Sequence, residues 1–595
     1  MITTMRSCHC GAVNTQMVGE VAAVSGWVDA VRPHGGLVFV NLRDRTGIVQ
    51  LVVQESDVDC FSLAQHLHLE YVIRAVGLVR ARPTGLVNQD MATGEVEIAV
   101  QSLELLAKSE PLPFNLSDGE RVSDELALRY RYLALRRPEL ISKLQFRSRL
   151  VQSIREFYHA RGFIEVETPY LTKPTPEGAR DFLVPSRNSP GSFYALPQSP
   201  QIFKQLLMAA GVDRYFQVVK CFRDEDLRAD RQPEFTQLDV ELSFVNEEDI
   251  MQLHEELLIK LFQDFLQVEL PTPFPRISYR QAMLDYGSDK PDLRCDLPLM
   301  DLAEFLTGLK CPFWQGLDPV RGDRIIGIKL SGQASNCSRK HLDGYAGLVK
   351  KYGMTLPLVY IKFQSATANG LEGVSSSIAR YLTLEVFQRL KQHCQLTEGD
   401  VLLVGAGRFE TSSAAMGALR LELAKDYGLL RDKEWRPLWV TDFPMFVEEE
   451  GKITFMHHPF TMPRVPSVEA LLNDPLVWSS RAYDLALNGI ELGGGSIRIH
   501  QEEMQLAVFK ILGMDEETVR AQFGHLLEAF KYGYPPEGGI AWGLDRLVML
   551  MSKSASLREV IAFPKTQTGA CPLTGAPARS DVAQLAELGL TLIGE

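Results

Sequence analysis

Phe222-Arg223-Asp224-Glu225-Asp226 and, just beyond it, Gln232-Pro233-Glu234-Phe235-Thr236-Gln237-Leu238-Asp239-Val240-Glu241-Leu242-Ser243-Phe244 decide how this chain is read. From Thr236 onward, Leu238, Val240, Leu242 and Phe244 alternate with Gln237, Asp239, Glu241 and Ser243. Successive side chains of a strand point to opposite faces, so the spacing predicts one apolar face and one face carrying an amide and two carboxylates. Tyr215 to Phe222 is another apolar run ahead of the charged stretch, which predicts an antiparallel pair joined by a long charged loop. Such a pair can hold Arg223 against a phosphate while Asp239 faces an ammonium group. The plainer alternative is an exposed hairpin with a solvated face, although such faces rarely lie opposite so apolar a partner.

Two glycine-rich segments extend the pattern. In Gly489-Ile490-Glu491-Leu492-Gly493-Gly494-Gly495-Ser496-Ile497-Arg498-Ile499 three glycines interrupt a strand-like run. That marks either a structural bulge or close approach of a ligand to the backbone. Glu491 can hold a divalent cation beside a triphosphate, and Arg498 can grip a carboxylate with two N–H groups. Gly538-Gly539-Ile540-Ala541-Trp542-Gly543-Leu544-Asp545-Arg546-Leu547 runs into an apolar helix and puts Arg546 at the helix start, where the dipole favours anions. Arg223 and Arg546 together suggest a phosphate clamp. Val404-Gly405-Ala406-Gly407 lacks the third glycine of a dinucleotide fingerprint, since Glu410 stands there. Met551-Ser552-Lys553-Ser554 resembles a class I synthetase lysine loop but has no partner His-x-Gly-His turn, and no P-loop occurs.

Ahead of these motifs, Val21–Val31, Leu37–Arg43, Ile48–Gln54, Tyr71–Arg80 and Val96–Ser102 read as five strands, with one helical stretch near Phe61–Leu69. A domain of this kind over 1–107 suits an OB-type barrel, binding single-stranded nucleic acid or serving structure alone. A linker at 108–140 follows, marked by Pro111, Pro113 and Ser117 to Glu120. A mixed helix and strand region at 141–285 contains helices around Leu150–Tyr158 and Ile250–Phe265. A second mixed segment, 286–430, has strands at Arg324–Leu330 and Leu356–Phe363, the motifs resume over 431–564, and a loosely ordered extension closes the chain at 565–595. The expected class is α+β multidomain.

At 595 residues several cores are needed. The net charge of −13, from 62 basic and 75 acidic residues, argues against a broadly basic nucleic-acid binder but not against local patches. Nine scattered cysteines suit free thiols in a reducing, cytoplasmic setting. Cys8-His9-Cys10 lacks a second ligand pair at zinc spacing. No apolar run is long enough to span a membrane, and no signal peptide is evident at the start.

Taken together the segments resemble the ordered motifs of class II aminoacyl-tRNA synthetases. Gly162-Phe163-Ile164-Glu165-Val166-Glu167-Thr168-Pro169 is similar to motif 1, Phe222-Arg223-Asp224-Glu225 to motif 2 and Gly543-Leu544-Asp545-Arg546 to motif 3. Four further runs narrow the resemblance to the bacterial-type aspartyl subfamily: Thr175 to Asp181, Gln201-Ile202-Phe203-Lys204, Met456-His457-His458-Pro459-Phe460-Thr461 and Ile561-Ala562-Phe563-Pro564-Lys565. It covers about Gly26 to Lys565. The resemblance implies an OB-fold anticodon-binding domain at 1–107, a catalytic antiparallel sheet split over 141–285 and 431–564, an inserted α/β domain at 286–430, and a homodimer built on motif 1.

It also implies residue roles. Arg223, Glu491 and Arg546 would be catalytic. ATP would meet Arg223, Asp224, Glu225, Gln232, Glu491, Gly543, Leu544, Asp545 and Arg546. L-aspartate would be bound by Glu177, Gln201, Lys204, Arg223, Asp239, His457 and Arg498, and Mg²⁺ by Asp484 and Glu491. Arg32, Phe39 and Gln50 would contact the anticodon, with Phe39 either stacking on a base or packing in the core. The barrel carries seven basic against eleven acidic residues over 1–107, so affinity would rest on local groups such as Arg43, Arg45, Arg80 and Arg82. Val52 stands where some members carry an aromatic. His34 and Gly85 match the members that charge both tRNA-Asp and tRNA-Asn. A ligase for asparagine or lysine, a strictly tRNA-Asp-specific form, and a silent RNA-binding protein are the rivals.

Overall fold

A computed structural model of the protein describes residues 3–116, 122–174, 178–227, 231–318, 322–365 and 371–593. Two compact units are present. One comprises Met1–Gln145, Ile561–Thr566 and Ala570–Ala578, the other Phe146–Val560, Gln567–Gly569 and Arg579–Glu595.

In the smaller unit the strands Val21–His34, Leu37–Asp44, Gly47–Gln54, Val72–Ala81 and Val96–Ala107 close a barrel, with the fifth strand lying between the third and the fourth. The expected helix falls at Val58–Gln65. Val24, Val28, Val38, Val40, Leu42 and Leu51 fill the interior. Strand alternation then puts Phe39 on the outer face, in register with Arg32 on one side and Val52 on the other. The linker is more structured than its prolines suggest. It forms the helices Asp124–Arg129 and Arg131–Ala134, which pack Leu133 and Ala134 on Phe114. Ser117 to Glu120 lie outside the described residues.

Among the described residues the larger unit contains an eight-stranded sheet. Its order is Arg276–Ser278, Pro437–Thr441, Ala482–Leu487, Ile490–Ile497, Glu537–Gly543, Glu234–Ser243, Arg214–Phe222, Ile164–Glu165. The six inner strands are antiparallel and both outermost pairings are parallel. Asp239 pairs with Gln217 and Ala541, and Val240 with Phe216 and Ile540. On the Val240 side Tyr158 stacks on Phe216 at 5.0 Å, and its hydroxyl shares a 3.1 Å hydrogen bond with His254 Nε2. That side is therefore closed by helical residues. The strand ends one residue earlier than its alternation predicts. Phe244 has a φ of 59° and is 75% exposed, so the chain turns away before it can join the apolar face.

The inserted segment builds a second sheet from Met300–Asp301, Asp323–Leu330, Val401–Arg408, Val359–Phe363 and Val374–Ser376. Helices Arg339–Lys351 and Phe409–Asp426 cover one face through Tyr345, Val349, Ala415 and Leu419. Ala303–Leu306 and Leu384–His393 cover the other through Leu306, Phe387 and Leu390. Gly405 is explained here: a Cβ on it would lie 2.5 Å from Met416 Sδ, so the glycine serves packing and not a dinucleotide.

Among the described residues the C-terminal extension is mostly turns, with an isolated bridge between Cys571 and Ala576 and one short helix, Val582–Glu587. No helix among the described residues is long and apolar enough to cross a membrane.

Candidate active site

The polar side of the large sheet floors a cleft of about 520 Å³. Lys204 reaches it from the helix Gln201–Ala209, Asp239 from the central strand and Arg498 from just past the glycine-rich strand, while Glu241, also on the central strand, lies behind them against the two cations. All four are at least 95% buried. Lys204 Nζ lies 2.8 Å from Asp239 Oδ1 and 3.1 Å from Glu241 Oε2. Arg498 donates to Glu241 through Nε at 2.8 Å and Nη2 at 3.2 Å, and through Nη1 to Ser496 Oγ at 2.7 Å. Gly539 makes this possible, because a Cβ there would overlap the Glu241 carboxylate.

Glu241 is the residue that sequence reasoning left without a role. It sits between the two cations, so they do not face a ligand as bare charges. Burial works against its ionisation, yet Arg498 and Lys204 hold its pKa below the usual glutamate value. Asp239 differs. Burial pushes its pKa up despite the Lys204 ion pair at Oδ1, and its Oδ2 has no hydrogen-bond partner. A buried carboxylate oxygen without a donor favours a group that brings one. Of the five guanidinium N–H groups of Arg498, one on each terminal nitrogen has no partner among the described residues, and Lys204 keeps a third N–H. The polar alternation of the central strand was the signal that could have found Glu241.

On another side of the cleft Arg223 lies with its guanidinium 5.0 Å from the Phe235 ring and makes no ion pair among the described residues. Arg546 donates to the Glu491 carbonyl at 3.1 Å, and Glu225 pairs with Arg231 at 3.0 Å. Gln201, Gln232 and Gly543 also line the cleft. Asp545 lines it too, but its carboxylate is engaged by Arg147 and, at 2.8 Å, by the Thr236 N–H. That anchors the helix carrying Arg546. Two residues expected to meet the nucleotide do not line the cleft. Asp224 is exposed and bonded through its backbone to Arg180, while Leu544 is 1% exposed in the core. Glu177 lies outside the described residues.

Asp484 and Glu491 line the same cleft with Asp289 and His457. Burial, then Glu491 and Asp289, raises the Asp484 carboxyl well above its ordinary pKa, and its Oδ1 has no hydrogen-bond partner. Gly494 leaves room for it, since a Cβ there would lie 2.5 Å from that oxygen. The glycines of this strand thus accommodate neighbouring protein atoms, a packing reason beside the expected ligand approach. His457 Nδ1 is 3.7 Å from Asp484 Oδ1, and burial keeps the ring's pKa low. His458, to which no role was given, also lines the cleft. Burial and the cations Arg498, Lys204 and Arg223 drive its pKa well below the usual value.

On the barrel, Arg32 Nη2 donates to Asn41 Oδ1 at 3.0 Å, and Gln50 donates to Glu97 at 2.9 Å. Phe39 lies beside them outside the interior cluster. His34 ends its strand in an exposed turn, and Gly85 is in another exposed turn with open space around its Cα. Three arginines expected to supply local charge are engaged by neighbouring protein groups. Arg43 is buried against Asp29 and Glu70, Arg80 pairs with Glu97, and Arg82 donates to the Val96 carbonyl. Arg45 alone of the four is exposed without such a role.

The chain belongs to the family described as tRNA synthetases class II (D, K and N), whose model matches residues 123–567. Residues 22–106 match an OB-fold nucleic acid binding domain. It is therefore an aminoacyl-tRNA ligase of the aspartate, lysine and asparagine group. In structure it is similar to asparaginyl-tRNA synthetase from Pyrococcus horikoshii complexed with asparaginyl-adenylate, at 22% identity and a TM-score of 0.59, covering 94% of this chain and 98% of that one. Entamoeba histolytica asparaginyl-tRNA synthetase, also with asparaginyl-adenylate, matches at 18% identity and 0.58, covering 94% and 98%. A candidate aspartyl-tRNA synthetase from Leishmania major Friedlin matches at 18% and 0.57, covering 95% of each chain.

Proposed function

We propose that the protein is an aspartate–tRNA ligase. It activates L-aspartate with ATP and transfers it to the 3′ end of tRNA-Asp and also of tRNA-Asn. The observation that carries this reading is the chemistry left over at the Lys204–Glu241–Arg498 cluster. Its unpartnered groups are all N–H donors. A side-chain carboxylate offers only acceptors to them, whereas the –NH₂ of a carboxamide would meet a donor. Sites built on such polar pairing discriminate by about 10⁴-fold or more.

Asp239, whose Oδ2 has no donor, takes the α-ammonium, and Gln201 with neutral His457 completes the pocket. The α-carboxylate oxygen attacks the α-phosphorus of ATP and pyrophosphate leaves. A 3′-terminal hydroxyl of the tRNA then attacks the adenylate carbonyl and AMP leaves. Arg223 stabilises charge at the α-phosphate, and Arg546 holds the far phosphates. Glu225 and Gln232 contact the nucleotide, while Asp545 positions Arg546. Asp484 and Glu491 suit Mg²⁺, because the unpartnered Asp484 oxygen beside like charges favours a cation. Such an ion takes one or two carboxylates and completes its coordination with water and substrate phosphates. Bound there, Mg²⁺ would compensate phosphate charge.

Arg32, Phe39 and Gln50, joined by Asn41, form the anticodon face, with Phe39 stacking on a base. Exposed Ile164, Tyr170 and Leu171 beside motif 1 support a homodimer. Amino-acid-dependent ATP–pyrophosphate exchange tests the substrate. Aspartate should drive it, and equal exchange with asparagine or lysine would sink the reading. Purified tRNA-Asn should also be aspartylated, and a rate below about a hundredth of that for tRNA-Asp, a difference of roughly 2.7 kcal/mol, would remove the second tRNA.

A further inference from the structure

Glu537 is a fully buried acid that the chemistry above does not use. It opens the strand Glu537–Gly543 beside Ser243, and its carbonyl accepts the Arg498 N–H at 2.9 Å. Its Oε1 accepts the Tyr534 hydroxyl at 2.6 Å and Gln205 Nε2 at 3.2 Å. Its other oxygen, Oε2, is buried with no hydrogen-bond partner. So is Oε1 of Gln205, the very side chain to which Glu537 is already joined. Two orphaned oxygens on one hydrogen-bonded acid–amide couple are a strong restraint, since each unsatisfied buried polar atom costs about 1–3 kcal/mol.

We propose that Glu537 and Gln205 form a neutral acid–amide pair, with a proton on Glu537 Oε2 donated to Gln205 Oε1, and that this pair is the positioning element that holds Lys204 and Arg498 around Glu241. One proton satisfies both orphans. The pair joins two parts of the pocket, because Gln205 follows Lys204 on its helix and Glu537 carries the Arg498 backbone. The charged and titratable groups facing Glu537 are Glu241 from the central strand, Arg498 from just past the glycine-rich strand and Tyr534 from the preceding turn. Burial and then Glu241 push the Glu537 carboxyl well above the ordinary glutamate value, in keeping with the proton. Neutrality also matters for the ligand. With Glu537 ionised, the cluster of Lys204, Arg498, Asp239 and Glu241 would gain a further negative charge where an acidic side chain must enter.

The effect on substrate rests on the aspartate reading, whereas the protonated pair does not, and the test separates them. Infrared difference spectra of substrate-free full-length protein, wild type minus Glu537→Gln, should show the carbonyl band of a protonated carboxylic acid. That band should shift to higher frequency in Gln205→Leu. Absence of the band at neutral pH overturns the proposal, whatever amino acid the enzyme uses. In aspartate-dependent exchange, Glu537→Ala should raise KM for aspartate about tenfold or more, the order of one lost hydrogen-bonded contact. Its KM for ATP should not change and kcat should change less than about threefold, while Glu537→Gln should restore KM to within about threefold of wild type. Failure of Gln to rescue where the alanine variant folds and binds ATP would mean that the acid acts through a charge, which the proposal excludes. Should aspartate support no exchange while the band is present, the substrate reading falls and the pair stands.

Discussion

The large unit contains two antiparallel-rich sheets that look alike in sequence and do opposite work. In the inserted sheet, Val401 and Leu403 pack on one layer of helices while Leu402, Val404 and Ala406 pack on the other. Both faces are dry and apolar, and a glycine on them serves a methionine. In the catalytic sheet the central strand is equally buried, but alternate positions are Gln237, Asp239 and Glu241. One face is core and the other is charge. The difference teaches where to look. Burial of charged residues at strand spacing, compensated by cations from other elements yet leaving N–H and carboxylate groups unpaired, marks a site. Glycine in a strand does not.

That contrast can be broken by substitution. Arg223→Ala should lower aspartate-dependent exchange by about a thousandfold, the scale of a lost charge-stabilising donor, with the thermal midpoint unchanged. Near-normal exchange would remove its role. Glu241→Ala leaves Lys204 and Arg498 short of their buried partner and should cost about 3–5 kcal/mol of stability. Denaturant unfolding should report that loss together with a large rise in KM for aspartate. Leu403→Ala in the inserted sheet should cost about 2–5 kcal/mol by opening a cavity. Steady-state constants of the folded fraction should be unaffected, and a changed KM would show that this sheet is more than scaffold.

Two smaller effects sharpen the contrast. Because the Asp239 pKa is raised, the protonated form that cannot hold an ammonium appears at higher pH than for an ordinary aspartate. KM for aspartate should therefore rise as pH falls, starting at higher pH than an ordinary aspartate would give, and a pH profile that stays flat down to pH of about 4, the ordinary aspartate pKa, would argue against Asp239 as the ammonium partner. On the barrel, Gly85 has open space around it, so Gly85→Lys should alter stability by less than about 0.5 kcal/mol. Side-by-side aminoacylation should show a few-fold greater loss with tRNA-Asn than with tRNA-Asp, and equal losses would leave the loop without a part in tRNA choice.

Much of this was legible beforehand because it depends on local periodicity. The barrel strands, the helix between the third and fourth, and the polar alternation from Gln237 to Glu241 all follow from spacing that a strand or helix must obey. Lys204, Arg223, Arg498 and Arg546 were named from their motifs, and one cleft brings them together. What misled was also local. Phe244 continued the alternation on paper, but a left-handed residue ends the strand there. Arg43, Arg80 and Arg82 read as surface charge, but Arg43 and Arg80 meet acidic partners brought by the fold and Arg82 meets the Val96 carbonyl.

The chain's own order of residues determined which elements form and which charged side chains share a face, since both depend on short-range geometry. Only the tertiary structure decided how those charges are balanced. That Glu241 lies between Lys204 and Arg498, that Asp239 meets Lys204 through one oxygen only, and that Gln205 meets Glu537 depend on contacts between segments up to 332 residues apart. Electrostatic compensation in a buried site is a property of distance in space, on which sequence separation places no constraint.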